Sequence, residues 1–140
     1  SAASDVYKRQ DFDDCGYEVL NLVNEERAKY NVAPLKWDDS LAALAESHCE
    51  DMIDRNFFAH NTPDGQTPFD RMKAAGISYS SAGENIAAGQ SSPQNVMDSW
   101  MNSPGHRKNI LNPDFEYIGV GLARGGSYGI YWAQEFATFK

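Results

Sequence analysis

The sequence predicts a single α+β domain, and three observations carry that prediction. Several stretches open with helix caps and space their apolar residues at helical intervals, while the C-terminal part switches to strict alternation across a glycine turn. The length, 140 residues, suffices for one hydrophobic core and would cramp two. With 41% apolar and 23% charged residues the composition is that of an ordinary globule. No stretch approaches the roughly 20 apolar residues a membrane-crossing helix needs, so no transmembrane segment is expected. The formal net charge of -8 repels phosphate backbones, and Lys and Arg are scattered, so nucleic acid is not an expected partner. The same acidity opposes adsorption to anionic lipid surfaces, although a groove could still bury a lipid tail.

Residues 1–10 show no period and no apolar leader core, so any leader is expected to be already gone and the segment reads as a tail, a linker or a remnant outside the fold. The expected division is a disordered tail over residues 1–14 and one domain over 15–140. A first helix is expected over residues 15–31, with Val19, Leu20, Val23 and Tyr30 on its apolar side and Glu25, Glu26 and Lys29 opposite. Arg27 falls on the apolar side, where a guanidinium needs carboxylates or carbonyls, so its expected role is structural. After Pro34 and Trp37, Asp38 and Asp39 offer a cap for a second helix over 40–56, buried through Leu41, Leu44, Ala45, Met52 and Ile53. His48 shares that stripe and reads as a hydrogen-bonded core histidine. Thr67-Pro68 with Asp70 starts a third, short helix that Gly76 stops. Ser92-Pro93 starts a fourth, carrying Val96, Met97 and Trp100 inward until Ser103-Pro104-Gly105 turns the chain. Beyond it, Ile118, Val120 and Leu122 alternate with Gly119, Gly121 and Ala123, and after Gly125-Gly126-Ser127 the run Ile130, Trp132, Gln134, Phe136 alternates again. This is a hairpin, and the small residues on one face of its first strand suit a sheet covered by helices on both sides.

Two cysteines are present, Cys15 and Cys49. A bridge between them would close a loop worth about 3 to 4 kcal/mol in chain entropy. Unpaired thiols fit the sequence equally well, since Cys49 lies on an apolar helix face and sequence does not set a Cα separation.

Of three histidines, His60 and His106 sit in segments rich in turn formers, read here as loops. Glu84 stands in Gly83-Glu84-Asn85-Ile86-Ala87, between a glycine and a pair expected to enter the sheet. Two neutral imidazoles and a carboxylate make a sufficient first shell for Zn²⁺ with one position left for water, and the same groups suit acid/base work. Their separation in sequence gives no ligand spacing of the kind seen in a His-Glu-x-x-His helix. The structural alternatives are that the histidines bond loop backbone, that Glu84 caps a helix start, and that Asn85, Asn109 and Arg107 pin loops. Neither a Gly-x-Ser-x-Gly nucleophile elbow nor a phosphate-cradling glycine loop occurs.

Taken together, several motifs resemble the CAP superfamily, the SCP-like domains of cysteine-rich secretory proteins, antigen 5 and pathogenesis-related proteins, in their bacterial secreted form. They run from Leu20-Asn21-Leu22-Val23-Asn24-Glu25-Glu26-Arg27 through Phe58-Ala59-His60 and Gly83-Glu84-Asn85-Ile86-Ala87. Trp100-Met101-Asn102-Ser103-Pro104-Gly105-His106-Arg107 and Trp132-Ala133-Gln134-Glu135-Phe136 complete the set. The resemblance implies an α-β-α sandwich with a small, mainly antiparallel sheet between helical layers and an open central cavity. It further implies that two His and two Glu line that cavity. Carried onto this chain, the histidines are His60 and His106 and the first glutamate is Glu84, while the second acid has no match and its place falls at Ser103. Family members can hold a divalent ion, often Zn²⁺, through the two histidines, and some bind sterols or other lipids.

Two functions follow as expectations. The first is a secreted or cell-envelope binding module whose cavity residues His60, Glu84, Ser103 and His106 accept a small apolar ligand, a peptide or an envelope component. His60 and His106 would hold Zn²⁺ or another divalent cation, and the chain would be a monomer. The alternative is a zinc-dependent hydrolase, a peptidase or esterase, using Glu84 and His106 in the same cavity. The missing acid at Ser103 favours the first.

Overall fold

The structure is a computed structural model that describes residues 2–140, with side chains from Asp14 onward. Of the tail expected over residues 1–14, Ser1 lies outside the described residues, and from Ala2 on its backbone belongs to the helix α1. In chain order the elements are α1 (Ala2–Lys29), β1 (Lys36–Trp37), α2 (Asp39–Asp54), α3 (Pro68–Ala74), β2 (Tyr79–Ala88), α4 (Pro93–Met101), α5 (Pro104–Ile110), β3 (Tyr117–Gly125) and β4 (Gly129–Phe139).

Helix starts follow their capping chemistry. Asp38 accepts a hydrogen bond from the Leu41 amide ahead of α2, and Ser92 accepts one from the Asn95 amide ahead of α4, with Pro93 at the first turn. Thr67 and Asp70 bond each other's backbone amides in a full capping box at α3. Gly76, just beyond that helix, adopts the left-handed φ of 77° that ends it.

The four strands form one mixed sheet in the order β1-β3-β4-β2, parallel between β1 and β3 and antiparallel elsewhere. Alternation along the strands divides their side chains between two helical layers. Ile118, Val120, Leu122, Trp132 and Phe136 face α1 and α4, where they meet Val19, Val23, Val96, Met97 and Trp100. On the opposite face, Ala123, Tyr131, Ala133 and Ile86 meet Ala45, Cys49 and Met52 of α2. That helix rides on glycine: a Cβ on Gly119 would come within 2.0 Å of the Ala42 amide nitrogen, and one on Gly121 within 2.3 Å of that of Glu46. The result is the expected α-β-α sandwich.

Some expectations are corrected. The segment that starts at Ser103-Pro104-Gly105 and bears His106 is the short helix α5 rather than a loop. Pro104 at its first position repeats the signature that opens α3 and α4, and Gly105, which reads as a breaker, is helical here. Tyr30 lies beyond the end of α1 and is exposed; its ring stacks under the Arg107 guanidinium, 5.2 Å away, and its hydroxyl accepts from Arg107. Arg27 is fully buried and donates to the carbonyls of Ala33, Ile110, Asn112 and Phe115, the structural role expected of it. No disulfide joins Cys15 and Cys49: the first packs on the α1 side of the sheet, the second lies buried on the α2 side.

Candidate functional site

The site is built around one carboxylate on β2. Glu84 points to the α2 side and is nearly inaccessible, with a side chain 2% exposed. Its Oε1 lies 2.8 Å from His60 Nδ1, and its Oε2 accepts from Arg71 of α3 at 3.0 Å. Arg71 also donates to the His60 carbonyl, so one guanidinium fixes both the acid and the loop carrying the imidazole. His48 of α2 sits behind the pair, bonding the Ala59 carbonyl through Nε2 at 2.9 Å with Glu84 4.0 Å away. It is the hydrogen-bonded core histidine anticipated from sequence, and it anchors the segment leading to His60.

A second carboxyl, Glu135, faces Glu84 from the neighbouring strand, because register pairs these two residues across β2 and β4. It is fully buried, with the Arg71 guanidinium 3.9 Å from one oxygen. Burial, followed by the charge of Glu84, pushes the Glu135 carboxyl well up, toward the protonated form that can donate to its neighbour. For Glu84, burial alone would raise the value, but hydrogen bonds from Glu135, His60 and Arg71 outweigh it and hold the carboxyl at about 2. The two acids are thus driven apart, Glu84 toward the ionised form and Glu135 toward the protonated one. With Glu84 ionised, the bond to His60 is donated by the imidazole N–H at Nδ1, and the ring is exposed, its Nε2 outside that bond.

His106 is set from the other layer. Its Nδ1 lies 2.8 Å from Ser103 Oγ, and Ser103, at the cap position of α5, spends its side chain on this contact instead of on a helix amide. Burial, then the charge of nearby His60, holds the His106 imidazole below its ordinary value. Asn85, which follows Glu84 but faces the opposite layer, donates to the His106 carbonyl at 3.1 Å and to Gln134 at 3.0 Å. Asn109 closes the network by donating to the Glu84 carbonyl at 3.2 Å and to Asn85 Oδ1 at 2.9 Å. Asn85 and Asn109 pin α5 to the sheet, as the structural reading had it.

His60 and Glu84 line an open groove of about 390 Å³ together with Asn61, Thr67, Pro68, Phe69, Ala82, Gly83 and Asn109. Ser103 and His106 are not among the residues that line it. A larger depression of about 490 Å³ lies on the far side of Arg71, between α2 and α3, rimmed by Glu50, Asp51 and Asp54. It presents no exposed imidazole. Among the described residues no three His, Cys, Asp or Glu side chains are grouped to hold a metal ion. Glu84, whose oxygens are committed to His60, Arg71 and Glu135, orients an imidazole instead of completing the three-residue shell expected from sequence. Arg71 and Glu135 escaped the sequence reading. For Glu135 a signal existed: it falls on the alternate face of a strand covered on both sides, where an acid must be buried. Arg71 has no such mark.

Helical layers on both faces of a short mixed sheet, with an acid-backed histidine at the sheet edge, define an SCP-like domain. The chain belongs to the CAP, or cysteine-rich secretory protein, family, whose profile matches residues 20–136. The YkwD protein of Bacillus subtilis is 50% identical over 119 residues, covering 85% of this chain and 45% of that protein. An extracellular SCP-domain protein of Bacillus anthracis superposes with a TM-score of 0.82 at 35% identity, covering 92% of this chain and 42% of that one. An outer surface protein of Borrelia burgdorferi gives 0.80 at 25% identity, covering 86% and 90%. The chain thus spans less than half the length of the two Bacillus proteins.

Proposed function

We propose that this is a CAP domain acting outside the cell or in its envelope as a binding module, with the ligand in the groove at His60 and a divalent cation, zinc foremost, held by His60 and His106. The location is supported by the extracellular and outer-surface relatives; among the described residues no helix is long and apolar enough to cross a membrane.

The observation that carries the reading is that both imidazoles are engaged at Nδ1, which leaves Nε2 of each for a ligand, and that His60 is backed by an ionised carboxylate. Carboxylate–imidazole pairs of this kind orient metal-binding histidines and raise their basicity. Two imidazoles supply half of a tetrahedral zinc shell, and water or the bound ligand would complete it. When bound, the cation would supply positive charge that polarises a ligand oxygen. Binding is favoured over hydrolysis because Glu84 is buried and fully bonded, so it is not free to take a proton from water. The Ser103–His106 pair is no substitute, since among the described residues no acid is bonded to His106.

Calorimetry with zinc tests this. Binding at pH 7.5 is expected to weaken at least tenfold at pH 5.5 as protons compete for the imidazoles, and to vanish in a His60→Ala, His106→Ala chain. Equal affinity at both pH values, or unchanged binding by the double variant, rules the two ligands out. Peptide and ester panels with zinc-loaded protein address the hydrolase: turnover lost with His106→Ala would restore it.

A further inference from the structure

We propose that the outer edge of β2 over residues 80–83 binds an extended peptide, which adds to the sheet as a further strand beside His60. The inference rests on the binding reading above but not on its metal.

β2 is the last strand of the sheet, so one of its sides has no strand neighbour. Hydrogen bonds along the strand fix which backbone groups face that side. The Gly89 amide bonds the Ile130 carbonyl of β4, whereas the Glu84 carbonyl accepts from the Asn109 side chain and the Ile86 carbonyl from the Trp100 indole. From Ser81 on, past the register shift, odd-numbered residues of β2 therefore direct their backbone groups to β4 and even-numbered residues direct theirs outward. By that alternation the N–H and C=O of Ala82 also face outward.

Along the second half of the strand, side chains of α4 and α5 stand in for the absent neighbour, and Glu84 to Ala87 are buried. The first half has no such cover. Ser80 is exposed, residues 81–83 are half-buried, and no hydrogen bond to the Ala82 backbone from outside the sheet occurs among the described residues. Open edges are usually protected by charge, proline, a bulge or an overlying element. Here Tyr79-Ser80-Ser81-Ala82-Gly83 carries neither charge nor proline, and its one register shift, between Tyr79 and Ser81, lies before Ala82.

This edge opens into the groove, which has Phe69, 43% exposed, at one side and the His60 imidazole at the other. Backbone donors and acceptors on a bare edge with side-chain sites flanking it are the elements of strand addition: main-chain bonds give affinity and alternate side chains give selectivity. An apolar side chain of the peptide would cover Phe69 and a polar one would meet His60. The chain's net charge of -8 selects against acidic peptides, so the occupant is a neutral or basic extended segment.

The test pans a phage library of random linear peptides against the immobilised full chain and remakes enriched peptides synthetically. Backbone N-methylation is then scanned along each. Strand addition predicts that methylation abolishes binding at every second residue and is tolerated between. Ala82→Pro removes the outward N–H without touching the ladder to β4, and is expected to weaken binding about tenfold, with circular dichroism unchanged. Chelators leave the affinity as it was. No enrichment over a blank surface, full affinity for Ala82→Pro, or an N-methylation profile without period two would each overturn the proposal. Should Ala82→Pro fail to fold, the methylation profile decides alone. Loss of peptide binding with zinc binding intact would sink the strand-addition site and leave the metal-binding module standing.

Discussion

At the scale of residues, the site is a problem of proton placement. Two carboxyls meet across adjacent strands in a buried setting, and one guanidinium, Arg71, selects which of them is ionised by bonding Glu84 directly. The consequence for stability has a definite sign. Glu135 keeps its proton to higher pH folded than unfolded, so its contribution is complete below the ordinary carboxyl value near 4.5 and drains away as pH rises toward its folded value. Glu84 does the reverse: its contribution is present above the ordinary value and lost as pH falls toward about 2. Glu135→Gln keeps an N–H donor for Glu84 while removing the titration. Urea unfolding between pH 5 and 8 should then show a flatter stability profile than the parent, by up to about 1.4 kcal/mol per pH unit. Parallel profiles would mean that Glu135 is already ionised in the folded chain.

At the scale of elements, glycine decides how closely the layers approach. Gly119→Ala should destabilise the chain by about 3 kcal/mol in urea unfolding, because the new methyl meets α2 backbone that has no side-chain freedom to yield. Gly105→Ala in α5, where nothing lies within 4 Å of the added atom, should be neutral or stabilising by up to about 1 kcal/mol. Equal effects at the two sites would refute this account of the α2 packing. The same contrast explains how much of the fold could be read in advance. Alternation of small and large residues marked β3 and its two faces, and Ser/Thr-Pro starts marked α3 and α4. Lys36–Trp37 is too short to show a period, so β1 escaped. Glycine inside α5 masked a helix, since its local meaning depends on whether the surroundings supply φ. His60 and Glu84 were legible as chemistry-bearing residues outside helix faces. The partners that set their protonation come from distant segments, and no local pattern encodes that juxtaposition.

At the scale of the whole molecule, the sheet acts as a partition. It keeps Cys15 and Cys49 in separate layers, so an oxidising milieu has no short route to an internal crosslink. The unfolding midpoint should be the same with and without reductant; a midpoint lowered by reductant would demand a bridge. Cys49, whose thiol burial pushes well up, should resist alkylation until the chain unfolds, while half-buried Cys15 reacts first.

That partition has one place where both sides are tied to the same stretch of backbone. Glu84 addresses the layer that holds His60 and Asn85 addresses the layer that holds His106, one residue apart on β2. The segments that carry the two histidines are therefore tied to adjacent residues of one strand, about 3.3 Å apart along it, although α3 and α4 separate them in sequence. Substitutions in those helices can accumulate without breaking that link. A one-residue insertion between Gly83 and Asn85 cannot, because it would send each side chain to the wrong face and dissolve the coordination between the layers while leaving every helix intact.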